Sequence, residues 1–407
     1  MKRSGVVVCG ALALAGAAFA QTQQQKPPIA TYWLSAETSA GMPMGGSGMD
    51  MAAMMMGGGG GARRSMLLQL GSQQSAPEPA ASHRIPPGMK MGEALPLVTP
   101  VTVKPEREPT ESWPDDVEKP KGRLLIYWGC GEKTRPGQPL VIDFSTMTAG
   151  KGMPADLFAL RLSGQRPPSP ARNRGYGDWP NKQDSTRVPA DASLIGDHAI
   201  AGNYSPEIRF SVDDGHDFLA PVSLDVAEKT AGGGVTARWQ KVPHALGYFA
   251  TVVAATAGGK DMVMWSSSER RIFGDALMTW LPNADVARLI KEQVVMPPQA
   301  TECTVPAAVA GAGEAAMMRF IAYGDELNLI HPPRPKDPKV VWEPDWAVKL
   351  RQKSTVMAML GMKTPTAAGR RAGNAGETSR GDAEGSPATP VDAVKEGAKA
   401  LRGILGF

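Results

Sequence analysis

Seven methionines between residues 42 and 56 are the side chains of this sequence best suited to hold a soft metal ion. Thioether sulfur suits Cu(I), so their spacing on a glycine-rich chain indicates a copper site. The same segment has no histidine or cysteine, and five consecutive glycines follow it. We therefore favour a low-complexity linker and keep copper, the one cofactor considered, as the alternative. The methionines are Met42, Met44, Met49, Met51, Met54, Met55 and Met56.

Two cysteines, Cys130 and Cys303, remain once an expected leader that carries Cys9 is removed. In an oxidising compartment such a pair most often forms a disulfide, and we predict one here. The alternative is a reactive thiolate at Cys130. Its surroundings, Tyr127 to Gly131, resemble the cysteine segment of L,D-transpeptidases, although the histidine motif of that family is absent. That resemblance implies an envelope hydrolase or transpeptidase.

Cations and aromatic rings occur together in a glycine-rich stretch that we predict to be a long irregular loop. Arg172, Arg174, Tyr176 and Trp179 lie in it. Guanidinium and aromatic groups bind anionic glycans or peptides through cation–π and stacking contacts, which makes these four residues candidate binding residues. The alternative is that the segment folds back and covers the edge of a sheet.

Residues 213–217 bring three aspartates and a histidine together, a composition that metal sites also have. Asp-Gly between two alternating runs is, however, a strong hairpin signal, and we favour a plain hairpin. His198 has no partner that its sequence neighbours identify, so we interpret it as a structural residue.

Short runs of alternating apolar and polar residues predict a protein made mostly of β-strands. The clearest alternations include Leu68, Ile126, Ile142 and Ile208, and no long amphipathic helical pattern occurs between residues 63 and 217. Residues 30–34 have the pattern of an edge strand. Residues 346–351 have that of a strand returning to a sheet.

A second group of strands follows residue 218. Trp239 begins a run, Trp-x-x-Val-Pro-x-Ala-x-Gly-Tyr, that ends at Tyr248 and is similar to the B and C strands of a fibronectin type III domain. The resemblance covers residues 219–332 and implies a β-sandwich with Trp239 and Tyr248 packed across its core. It also implies F and G strands at 317–323 and 327–330, and the helical pattern near 283–295 is then an insertion. Such sandwiches serve mostly as spacers and binding modules.

Residues 1–20 have the pattern of a cleavable signal peptide. Lys2 and Arg3 precede an uncharged apolar run, and Ala18 to Ala20 fits the rule for signal peptidase. The run is too short for a permanent membrane anchor. We therefore expect a mature chain that begins at Gln21 and works in the periplasm, in the cell envelope or outside the cell. Processing lowers the net charge from +4 to +2, which argues against nucleic acid as a partner.

The expected fold is mostly β, with two sandwich-like domains, a flexible N-terminal segment and a disordered C-terminal tail. The terminal helix starts after Thr389-Pro390 and has an apolar stripe, which suits contact with a membrane surface or docking on a protein. The expected segments are a signal peptide at 1–20, a Gly- and Met-rich segment at 21–62, a β-rich domain at 63–217, a fibronectin type III-like domain at 218–333, a returning strand at 334–362, a disordered linker at 363–388 and an amphipathic helix at 389–407.

Motifs of the common catalytic sites are missing from the sequence. It contains no His-Glu-x-x-His, Gly-x-Ser-x-Gly or Ser-x-x-Lys motif and no phosphate-binding glycine loop. We therefore expect a non-enzymatic binding or scaffold protein of the cell envelope, with a protein or glycan partner. The whole chain also resembles exported proteins of Gram-negative bacteria, which implies a location and no activity. The alternatives are a copper-handling protein and an envelope hydrolase or transpeptidase that uses Cys130.

Overall fold

The computed structural model is made mostly of β-strands, as the sequence predicts. It describes residues 26–41, 61–100, 122–144, 154–256, 259–313, 316–337 and 339–362. The signal peptide, the seven methionines, the linker at 363–388 and the helix at 389–407 lie outside these ranges.

Sixteen strands and two α-helices occur within the described ranges. The first eight strands are β1 (Ala30–Gly41), β2 (Arg63–Ser72), β3 (Ala81–Arg84), β4 (Ala94–Leu97), β5 (Arg123–Trp128), β6 (Leu140–Asp143), β7 (Gly175–Trp179) and β8 (Gly196–Gly202). The others are β9 (Ser205–Val212), β10 (Leu224–Asp225), β11 (Val235–Trp239), β12 (Ala245–Ala255), β13 (Met262–Ser266), β14 (Glu302–Val305), β15 (Ala316–His331) and β16 (Trp346–Met359). The helices are α1 (Asn283–Lys291) and α2 (Ala307–Ala310).

Nine strands form one large sheet in the order β6-β5-β13-β12-β15-β16-β1-β2-β7. The β1–β16 and β5–β13 pairs are parallel, and the other neighbours are antiparallel. Two smaller sheets complete the fold, one of three strands in the order β10-β11-β14 and one of four strands in the order β4-β3-β8-β9. The large sheet therefore joins the N-terminal strands to the last described strand.

The strand at residues 30–34 is central, and its prediction as an edge strand is wrong. β1 pairs with β16 on one side and with β2 on the other. Tyr32 and Leu34 are fully buried on one face of the sheet, and Trp33 is only 7% exposed on the other. Burial of both faces is typical of an interior strand.

Two hydrophobic cores lie side by side on one face of the large sheet. In the first core, Leu34 of β1 and Leu350 of β16 belong to the same cluster as Ile208 of the four-stranded sheet. In the second core, Phe320 of β15 and Val356 of β16 meet residues of the three-stranded sheet. β16 therefore contributes to both sandwich-like units.

The large sheet includes strands from both sides of the boundary expected at residues 217 and 218. β5, which precedes that boundary, pairs in parallel with β13, which follows it. The register places Leu124 opposite Met262 and Trp128 opposite Ser266. The hydrogen bonds of one sheet therefore connect the two expected segments.

Residues 213–217 connect two different sheets, and the hairpin predicted there is wrong. β9, before them, pairs with β8, whereas β10, after them, pairs with β11. The segment forms a short 3-10 helix at Asp214–His216. Gln352 of β16 donates a hydrogen bond to the carbonyl of Gly215, 2.9 Å away, so this turn lies over the middle of the large sheet.

Residues 317–330 belong to one strand rather than to the two predicted from the resemblance. β15 runs from Ala316 to His331 and changes register between Tyr323 and Glu326. Gly324 therefore lies at a bulge within the strand, where a glycine is also favoured. β16 is the antiparallel neighbour that follows β15 in the chain.

The predicted helix near residues 283–295 is confirmed as α1, which covers the other face of the large sheet. Val286 and Leu289 of α1 share a buried cluster with Phe249 of β12 and Tyr323 of β15. None of the helices in the described ranges is long and apolar enough to cross a membrane.

Trp239 and Tyr248 meet across the second core, with ring centroids 5.6 Å apart. The Tyr248 hydroxyl also accepts a buried hydrogen bond from the backbone N–H of Val242, at 3.0 Å. By contrast, the buried Tyr204 hydroxyl has no hydrogen-bond partner among the described residues. The two tyrosines are thus a matched pair for measuring what the hydrogen bond of a buried hydroxyl contributes to the free energy of unfolding.

Tyr248→Phe is expected to lower the free energy of unfolding by about 1–2 kcal/mol, because the N–H of Val242 loses its partner in the interior. Tyr204→Phe is expected to cause no loss, because no hydrogen bond within the described chain is broken. Urea unfolding of the two variants measures the difference. An equal loss in both variants would contradict the assignment of the Tyr248 hydrogen bond.

Candidate functional site

The structure joins Cys130 and Cys303 in a disulfide, with their Cα atoms 5.2 Å apart. Cys130 directly follows β5 in the large sheet, and Cys303 lies in β14 of the three-stranded sheet. The bond therefore ties the two layers of the second sandwich unit together. A sulfur in a disulfide is not a nucleophile, so Cys130 in this bond offers no reactive thiolate.

The favoured linker and its alternative, a copper site, both fall on residues 42–56, outside the described ranges, and stay predictions. Two methionines further along the chain, Met89 and Met91, are described. Met89 is fully buried in the first core, and Met91 packs against that core. Their sulfurs are therefore part of the packing. In the described ranges no group of three or more histidine, cysteine, aspartate or glutamate side chains is placed to hold a metal ion.

The irregular loop predicted around residues 172–179 is wrong for its second half, which forms β7. Tyr176 is 6% exposed and Trp179 is 2% exposed, so neither ring lies at the surface as a binding role requires. Arg172 and Arg174 are exposed, and their role in binding stays a prediction. A Cβ atom on Gly177 would lie 2.8 Å from the carbonyl oxygen of Leu97, so this glycine permits close packing rather than a turn.

His198 has partners in the first core, as its structural interpretation requires. Its Nε2–H donates to the carbonyl of Leu194 at 2.7 Å, which leaves its Nδ1 to accept from Nε2–H of His83 at 2.8 Å. The Nδ1 of His83 then accepts from the Tyr32 hydroxyl at 2.9 Å. This order of donors needs both imidazoles neutral. Burial lowers the pKa of His83 and that of His198 below their ordinary value.

A row of cations lies between two tryptophans on the opposite face of the large sheet. The Arg351 guanidinium is 4.8 Å from the Trp33 ring centroid and 4.6 Å from that of Trp280. The Lys353 ammonium lies 4.0 Å from the same Trp280 ring. These distances are those of cation–π contacts, which are strongest where water is excluded.

Arg351 and Lys353 are too buried to meet a large ligand, since each is only 8% exposed. Burial lowers the pKa of Arg351 to about 10, so its side chain stays charged at neutral pH. It donates to Ser35 and Gln165, each at 2.7 Å, and Lys353 pairs with Glu37 at 3.2 Å. The row therefore fastens β16 to β1 and to the covering segment around Gln165.

An exposed cleft near α1 is a concave site whose charged groups solvent can reach. Its volume is about 230 Å³. One wall contains Asp156 in a short 3-10 helix, and the second is the last turn of α1 with Arg288 and the following Glu292. The segment that follows β13 completes it. The lining residues are Asp156, Ala159, Leu160, Arg161, Arg270, Arg271, Ile272, Arg288 and Glu292.

Hydrogen bonds between backbone groups hold the walls of the cleft together. The N–H of Phe273 donates to the carbonyl of Leu157 at 3.0 Å, and the N–H of Glu269 donates to that of Gln293 at 2.9 Å. Arg288 adds a side-chain contact, because its Nη2 donates to the carbonyl of Arg161 at 2.6 Å. The cleft is thus built on joined elements rather than on one free loop.

Ion pairs set the direction of three of the four arginines. Glu292 accepts from Arg270 at 2.8 Å and from Arg288 at 2.9 Å, and its hydrogen bond raises the pKa of Arg288. Arg271, next to Arg270 in the chain, turns the other way and pairs with Asp156. Among the described residues no carboxylate lies within ion-pair distance of Arg161.

The lining carries four arginines against two carboxylates, both of which are engaged by arginines. Its other members are Ala159, Leu160 and Ile272, so the lining includes no hydroxyl, thiol or imidazole. Such a surface suits anionic groups, and the carboxylates, its remaining candidate nucleophiles, are both held by arginines. Sequence reasoning missed it, because its arginines come from three separate segments. The adjacent arginines at 270 and 271 were the one local signal.

The chain matches no family model, no curated protein and no solved structure, so its fold and its sites are known from its own sequence and structure.

Proposed function

We propose that this chain is an exported, non-enzymatic protein of the cell envelope that binds or scaffolds a protein or glycan partner. The exposed arginine-lined cleft carries this proposal, because its lining offers positive charge and hydrogen-bond donors and both of its carboxylates are engaged by arginines. The cysteine pair supports an oxidising compartment, where disulfides persist. The signal-peptide pattern at residues 1–20 supports export.

The arrangement of the second unit supports the likeness to a fibronectin type III domain. β11 and β12, the expected B and C strands, belong to different sheets, and Trp239 and Tyr248 pack against each other between those sheets. A rigid β-sandwich of this kind holds a surface site in a fixed place without adding chemistry of its own. α1 then serves as the added element that carries one wall of the cleft.

Site-specific photo-crosslinking in the cell envelope tests the proposal. A photoreactive side chain replaces Ala159, which is exposed and lines the cleft. The same side chain at Val141, which is 48% exposed on β6, is the matched control. We expect a discrete protein or glycan adduct from position 159 and none of that mass from position 141. No adduct at 159, or the same adducts at both positions, would refute partner binding at the cleft.

A further inference from the structure

We propose that the arginine-lined cleft recognises a phosphate ester, the oxyanion carried by lipid headgroups and phosphorylated glycans. This inference deepens the proposed binding function and rests on it for its biological meaning. It stands on the geometry of three exposed cations, Arg161, Arg270 and Arg271, at one small cavity.

Two of these cations, Arg270 and Arg271, are already oriented before any ligand arrives. Arg270 and Arg271 are adjacent in the chain, yet they pair with carboxylates on opposite walls, Glu292 and Asp156. Each pair uses part of a guanidinium that has five N–H donors, so further donors remain for a ligand. Because these two side chains are held in place, less conformational entropy is lost when they bind an anion.

The directions of approach favour a tetrahedral oxyanion over a planar carboxylate. A phosphate ester presents three strongly accepting oxygens that point in different directions. Arginines that reach in from separate walls can each bond a different oxygen, and the planar fork of a guanidinium suits pairs of such oxygens. A carboxylate presents two oxygens in one plane, so it can accept hydrogen bonds from arginines on fewer of these walls.

Charge and size agree with a headgroup-sized anion. The lining has two more arginines than carboxylates, and Asp285 below Arg288 removes one unit of that excess. An anion therefore meets a net positive site. The volume of about 230 Å³ lies below the range that drug-sized ligands usually occupy, so the cleft fits a phosphate group and a small part of what bears it.

The test measures binding of inorganic phosphate to the mature full chain by calorimetric titration at low salt. Arg161→Ala with Arg270→Ala is expected to weaken binding at least about tenfold, because each lost contact is a charge-assisted hydrogen bond. Arg84→Ala with Arg209→Ala is the matched control and is expected to change binding less than about twofold. Both pairs remove two exposed arginines, of which one, Arg270 or Arg209, has a carboxylate partner.

A charge-preserving variant separates the contribution of guanidinium hydrogen-bond geometry from that of net positive charge. Arg161→Lys with Arg270→Lys keeps the net charge and loses the planar forks, so we expect an affinity between those of the wild type and the alanine pair. No phosphate binding by the wild type, or an equal loss in the cleft pair and the control pair, would overturn the proposal.

Vesicles identify the source of the phosphate. Sedimentation with phosphatidylglycerol vesicles but not with phosphatidylcholine vesicles, lost in the Arg161→Ala, Arg270→Ala variant, would support a lipid headgroup. Phosphate binding without vesicle binding would support a phosphorylated glycan or a soluble ester. An adduct at position 159 combined with no phosphate binding would overturn this inference and leave the proposed binding function standing.

Discussion

Replacing Cys130 and Cys303 together by alanine is expected to lower the free energy of unfolding by about 5 kcal/mol in the chain-entropy account of disulfides. The two residues are 173 positions apart, so the bond closes a long loop of the unfolded chain. Its loss releases conformational freedom in the unfolded state. Because the stability of whole domains is about 5–15 kcal/mol, this change is a large part of the total.

The folded structure around the bond has other contacts that the variant keeps. The N–H of Gly131 donates to the carbonyl of Thr304 at 2.8 Å, and the N–H of Gly129 donates to that of Ser266 at 3.0 Å. The side chain of Glu132 accepts from the N–H of Gly232 at 2.8 Å. These bonds hold the turn after β5 against β14, against the end of β13 and against the segment before β11. We therefore expect the double variant to fold and to lose stability mainly through its unfolded state.

Urea unfolding of the oxidised wild type and of the Cys130→Ala, Cys303→Ala variant measures the effect. The dependence of the unfolding free energy on urea should also become steeper, because an unfolded chain without the cross-link exposes more surface. A reductant should destabilise the wild type and leave the variant unchanged, which is the control. A difference below about 1 kcal/mol between the two proteins would contradict the expected role of the bond.

Local patterns were sufficient to predict most strands and the single long helix of the described chain. Alternation around Leu68, Ile126 and Ile208 identifies β2, β5 and β9, and the spacing of Val286 and Leu289 identifies α1. These patterns work because each element buries one face, and the period of its apolar residues reports that face directly. The fold class, mostly β, followed from the same patterns.

Positions within the sheets were harder to predict, because neighbours far apart in the chain decide them. β1 pairs with β16, about 316 positions away, which no pattern within residues 30–34 reports. The role of a glycine also depends on such distant neighbours. Gly177 suggested a loop, whereas it permits the close approach of the Leu97 backbone to β7.

The cleft and the histidine chain lay beyond sequence reasoning for the same reason. Arg161 and Arg288 belong to segments that meet only after folding, and one hydrogen bond between them is the visible result. His83 and His198 come together when β3 pairs with β8. A lone histidine in sequence carries no sign of whether it meets solvent, an anion or another imidazole, so its chemistry depends on contacts of the folded chain.

The buried histidine chain makes stability depend on pH between about 5 and 6.5. The imidazoles of His83 and His198 must stay neutral in the folded state, and burial is the main reason that the pKa of each lies below its ordinary value. In the unfolded chain both return to a pKa of about 6.5. Below that pH the unfolded state therefore binds more protons than the folded state, and stability decreases as the pH falls.

Two such sites together are expected to reduce the free energy of unfolding by up to about 2.7 kcal/mol for each pH unit below about 6.5, with no contribution from them above pH 7. Urea unfolding at a series of pH values from 8 to 5 measures this slope.

His198→Gln should lower stability at pH 8, because the chain of donors is broken, and should remove about half of the slope. His244→Asn is the control: His244 is exposed, lies outside the chain of hydrogen bonds and has a positive φ that asparagine accepts. A wild-type slope near zero, or a slope that His244→Asn reduces as much as His198→Gln does, would show that the paired imidazoles are not held neutral in the folded protein.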